Sequence, residues 1–176
     1  MMYLGLLIFC SMTLTQSNLR RYIILIPVII FAISLTQNAL VYEYQGKQVH
    51  SAISLFLIGG ISIAGGAGME CLTWMANPIA IIAVIRFLIE TNNVNKIEPV
   101  LGTPIPKPEP TSYWLSLIAA AIAWSFSFWK EILAAESGTK GKIYSFEPGY
   151  WLWVSSLTIL AIGINCYHFR FNKASK

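Results

Sequence analysis

Apolar positions in this chain fall into long continuous runs separated by short polar links. Six stretches stand out, at about 2–16, 22–37, 52–68, 74–91, 112–130 and 149–167. Inside 22–35, 79–89 and 115–129 apolar residues do not alternate with polar ones. A strand crossing a bilayer would alternate. In hydrocarbon every backbone N–H and C=O needs an internal partner, and continuous apolar runs meet that requirement as helices. A span takes roughly 17–25 residues, so several stretches are marginal. The third is the weakest, because it carries Gly59, Gly60, Gly65, Gly66 and Gly68, and glycine weakens a helix by about 1 kcal/mol per residue. The pattern predicts an all-α fold: one integral membrane domain over 1–176, a polytopic transmembrane helical bundle of four to six segments.

Composition strengthens that reading. Hydrophobic residues are 56% of the chain and charged residues only 11%, whereas soluble domains carry about 25% charged residues. That leaves too little charge to clothe a water-facing surface, so the expected partner of most of the surface is the lipid bilayer. The net charge of +4 does not point to nucleic acid, because the twelve Lys and Arg are scattered in ones and twos without a basic stripe. The segment 2–16 lacks a basic lead-in and a small-residue cleavage site, and is expected to remain as a short first membrane segment.

Charge placement sets an expected topology. If all six stretches cross, Lys and Arg at 20, 21, 130, 140 and 142 share one side, and those at 47, 86, 96, 107, 170, 173 and 176 the other. If the third stretch does not cross, 20, 21, 86, 96, 107, 170, 173 and 176 share the cytoplasmic side, leaving 47, 130, 140 and 142 outside. The second arrangement obeys the positive-inside tendency. The stretch 52–73 is therefore expected to be re-entrant or interfacial, and the Pro-rich 92–111 to be a cytoplasmic link. Tyr42 and Tyr44 are expected to close the second helix as interfacial anchors, and Tyr150, Trp151 and Trp153 to open the last.

Candidate chemistry is sparse. The chain has no Asp, no His-Glu-x-x-His, no Gly-x-Ser-x-Gly and no phosphate loop. Cys10, Cys71 and Cys166 form no spaced pairs, and His50 and His168 lie far apart in the chain. No catalytic residue, cofactor or metal site is assigned. Glu70 is the candidate functional residue, since a carboxylate in a membrane segment is costly unless used. Trp74, Asn77 and Pro78 beside it, and Tyr150 at the start of the last helix, complete the candidates, with Asn77 expected to cap the helix that Pro78 begins. Gly60, Ala64 and Gly68 recur at four-residue spacing, as do Ala119, Ala123 and Ser127. Such stripes let helices approach closely.

Trp74-Met75-Ala76-Asn77-Pro78 resembles a Trp-Leu-Ala-Asn-Pro motif of small, uncharacterised bacterial inner-membrane proteins, with Met75 in place of Leu. Lys130-Glu131 and Gly149-Tyr150-Trp151-Leu152-Trp153 fit the same pattern, over roughly 22–170. The resemblance implies a bacterial inner-membrane location and no particular activity. The function expected from the sequence is that of a non-enzymatic subunit or partner-binding, immunity-type membrane protein, associating with a protein partner or as a homo-oligomer. The alternatives are a small oligomeric transporter or channel and an intramembrane enzyme.

Overall fold

The computed structural model describes residues 16–94, 111–134 and 139–172. The expected first segment, apart from Gln16, and most of the Pro-rich link lie outside these residues. The chain forms helix α1 (Gln16–Leu35), a hairpin of β1 (Asn38–Glu43) and β2 (Lys47–Ser51), and the short helices α2 (Ala52–Gly59) and α3 (Gly68–Trp74). Then come α4 (Ala76–Val94), α5 (Thr111–Ser125), β3 (Glu131–Leu133), β4 (Lys140–Phe146) and α6 (Pro148–Asn172). Four helical stretches are long and apolar enough to cross a membrane: Ser17–Leu35, Gly68–Asn92, Thr111–Phe128 and Pro148–Arg170.

The all-α expectation is overturned. The two links between long helices combine into one four-stranded antiparallel sheet in the order β2-β1-β4-β3. The second apolar stretch stops being helical at Leu35, and Tyr42 belongs to β1, with Tyr44 just beyond it, rather than to a helix end. The reason is local. Leu40 and Tyr42 are buried on either side of the less buried Val41, with Glu43 exposed beyond, which is strand periodicity over these four residues. Gln45 and Gly46 adopt positive φ values of 50° and 112°, closing a tight hairpin. Ser51 then ends β2 and starts α2, its Oγ accepting the Ser54 N–H at 3.3 Å.

The stretch 52–68 consists of the eight-residue α2 and a 3-10 turn over Ser62–Gly65. At 1.5 Å per residue α2 rises only about 12 Å, well short of a hydrocarbon core of about 30 Å. The long helices pack in the order α1, α6, α5, α4, and α6 also meets β1. The buried core runs along this row, from Leu40 and Tyr150 at the sheet end through Val154 and Ala123 to Phe87 and Ile164. Exposed Val28, Ile29, Ile81, Ile85 and Ile162 clothe the outside of the bundle, as lipid contact requires.

Candidate functional site

The short helices, the sheet and the ends of α1, α4 and α6 nearest the sheet, with Phe126 just beyond α5, surround a half-open chamber of about 1190 Å³. Its walls are mostly apolar. Glu70, Trp74, Asn77 and Tyr150 all line it, so four of the five residues singled out from the sequence are brought together. Pro78, in the first turn of α4, does not line it.

Each of the four is held by a specific contact. Trp74 lies flat on α2, where a Cβ at Gly59 would sit 2.4 Å from its Cδ1 and one at Gly60 would sit 3.0 Å from its Cζ2. Only glycine leaves room for the ring. Its Nε1–H donates to the Phe56 carbonyl at 2.7 Å, one of the last carbonyls of α2, which lack helical partners. The Gly60 stripe therefore serves Trp74, and Gly68 has no neighbour within 4 Å of a built Cβ.

Asn77 lies within the first turn of α4 instead of preceding it. Its Oδ1 accepts the Trp153 Nε1–H at 2.8 Å, tying α4 to α6. The Tyr150 hydroxyl donates to the Ala123 carbonyl at 3.0 Å. Glu70 Oε1 accepts the Leu133 N–H at 2.8 Å and so anchors β3 over the chamber. Among the described residues its second oxygen has no protein hydrogen bond and the carboxylate has no cationic partner.

His50 was not singled out from the sequence, yet it also lines the chamber. Its ring stacks on Tyr42, with centroids 5.0 Å apart and planes 6° apart. Nε2 lies 3.1 Å from the Tyr42 hydroxyl. Burial lowers the His50 pKa from its ordinary value of 6.5 and favours the neutral ring. Nothing in the pattern of β2 itself marked this position; it comes to the chamber because the hairpin register sets His50 opposite the buried Leu40.

A second polar constellation lies at the far end of the bundle. Neither Glu90 nor Ser112 was singled out from the sequence, yet Glu90 is 6% exposed and Ser112 is fully buried. Glu90 Oε1 accepts the Ser112 N–H at 3.2 Å, and Ser112 Oγ–H donates to Oε2. His168 Nε2 lies 2.9 Å from that hydroxyl and 3.4 Å from Glu90 Oε2. In a serine–histidine–acid relay the acid holds the ring nitrogen opposite to the one facing serine. Here both partners meet Nε2, and the hydroxyl has no accessible surface for a substrate. The cluster joins α4, α5 and α6, and Arg20 of α1 completes the closure by donating to Thr91 Oγ1 at 3.2 Å and to Asn92. Sequence gave little warning, because these partners are 22 and 56 residues apart.

Compared with protein-family models, curated proteins and solved structures, the chain matches none. Function therefore rests on the geometry of these two regions.

Proposed function

We propose that this is a multi-pass membrane protein that binds an apolar ligand or partner segment in the chamber without transforming it. The chamber itself carries the reading. Its volume of about 1190 Å³ exceeds the roughly 300–1,000 Å³ typical of small-molecule pockets, and its few polar groups are placed to orient a guest. A non-enzymatic role fits because the titratable groups of the lining, Glu70, His50 and Tyr150, are each tied to a different partner, the Leu133 N–H, the Tyr42 hydroxyl and the Ala123 carbonyl, with no hydrogen bond linking them to one another among the described residues. A channel is less well supported, since Phe87, Glu90, Ser112 and His168 fill the end opposite the chamber.

The sheet supports one topology. Strands β1 and β4 are hydrogen-bonded neighbours, so the β1–β2 hairpin and strands β3 and β4 lie at the same end, and one sheet cannot sit on both faces of a bilayer. A six-crossing arrangement would separate them. With Arg20, Arg21, Arg86 and Arg170 near the opposite end, the positive-inside tendency puts that end in the cytoplasm and the sheet outside, in a bacterial inner membrane if the motif resemblance is followed.

Purification in mild detergent followed by native mass spectrometry tests the reading. A non-covalent apolar guest, retained less when Thr73→Trp narrows the chamber, is the expected result. Protein that carries no guest from any membrane, and gains no stability from added amphiphiles, would overturn it.

A further inference from the structure

Below the chamber, a crevice of about 230 Å³ opens between α1 and α4. Its rims are apolar: Pro27 and Val28 on α1, Ile81 and Ile85 on α4. Val28 and Ile81 are 52% and 58% exposed on the outer surface of the bundle, so in a bilayer the crevice faces hydrocarbon. Phe31, Phe56 and Asn77 line both spaces, so crevice and chamber adjoin at these three side chains. Contacts from Arg20 to Thr91 and Asn92 close the gap between α1 and α4 only at the far end.

In water such a cleft would be an unexplained cost. In a membrane the solvent is itself a chain-shaped apolar molecule, which can enter sideways. From Asn77 to Ile85 the crevice follows eight residues of helix, about 12 Å of rise, enough to take part of an acyl chain. The head would then lie in the chamber. Among the described residues its lining contains the carboxylate of Glu70 and no Lys or Arg, and the burial of His50 favours its neutral form. An acidic head would meet an uncompensated negative charge in a mostly apolar space, whereas an ammonium would supply the missing counter-charge.

We infer that the guest is a bilayer lipid with an ammonium-bearing head, its chain in the α1–α4 crevice and its amine against Glu70. This inference rests on the binding role proposed above. The four exposed-side lysines, Lys47, Lys130, Lys140 and Lys142, do not line the chamber and so remain outside this recognition.

The full chain, delipidated and then exchanged into nanodiscs of defined composition, provides the test. Phosphatidylethanolamine, phosphatidylglycerol and phosphatidylcholine are offered in equal amounts, and retained lipid is read by native mass spectrometry. Wild type should retain the ethanolamine lipid at least fivefold over the glycerol lipid. Glu70→Gln keeps an acceptor for the Leu133 amide and should remain folded by thermal melt, but lose that preference. Ala80→Trp, which plugs the crevice, should reduce retention of every lipid. Equal retention of all heads, or a preference untouched by Glu70→Gln, overturns the headgroup assignment while leaving a binding chamber. Retention unaffected by Ala80→Trp overturns the lateral path. A polypeptide found in place of lipid overturns the lipid inference and keeps the binding role, whereas an empty chamber in every condition defeats both.

Discussion

At the sheet end of the molecule, backbone ladders between β1, β2, β3 and β4 do the joining, and the helices beneath them splay around a chamber. At the far end no strand is present among the described residues, and side chains from four helices converge instead: Arg20, Glu90, Ser112 and His168. The difference lies in what satisfies polar groups. A sheet satisfies its own backbone and can stand off as a roof, leaving volume below. A buried carboxylate must be reached by donors from every side, which draws helices together and removes volume. One end is thus built to be filled from outside and the other to stay shut.

The largest expected effect tests the shut end. Glu90→Ala leaves the buried Ser112 amide and hydroxyl without their acceptor and the half-buried His168 without its facing carboxylate, and each buried donor left unsatisfied costs about 1–3 kcal/mol. A thermal melt in detergent should show a large fall in Tm, with Glu90→Gln intermediate. A variant as stable as wild type would show that the cluster holds nothing together.

At the roofed end, Gly59→Leu drives a side chain into the Trp74 ring, and overpacking costs about 1–3 kcal/mol. The loss should shrink in the Gly59→Leu, Trp74→Ala double variant, since contacting residues are not additive. Full additivity would remove the ring contact as the cause. Asn77→Ala takes the acceptor from the partly buried Trp153 indole and should cost about 1 kcal/mol, with a shift in tryptophan emission marking the freed ring.

A smaller effect is expected from pH. The folded pKa of His50 is lowered below its ordinary value of 6.5, so the unfolded chain binds the proton more readily. The stability this contributes is complete above that ordinary value and is lost as pH falls below it toward the folded pKa. Melts between pH 7.5 and 5 should show a decline that His50→Gln reduces, and an unchanged slope would assign the decline elsewhere. Smallest of all is Gly68→Leu. With nothing near its Cβ, the change should fall within about 0.5 kcal/mol, whereas a large loss would restore the small-residue stripe as a packing surface.

Continuous apolar runs and an 11% share of charged residues were enough to identify long helices meant for lipid, because hydrocarbon leaves a lone chain segment no other way to pair its backbone. Glu70, Trp74, Asn77 and Tyr150 also stood out, since polar and aromatic groups are conspicuous in such a background. The sheet did not stand out, although Leu40, Tyr42 and the Gln45–Gly46 turn carried its signal. Each strand is short, and β1 acquires its second partner only from β4, about a hundred residues later. Separation along the chain, 22 and 56 residues in this case, likewise hid the Glu90–Ser112–His168 closure, and it hid the chamber. Composition determines the solvent a chain must live in and local pattern determines its helices. Which polar residues meet, and where space is left between helices, depends on pairings between remote segments, and only the tertiary structure decides those.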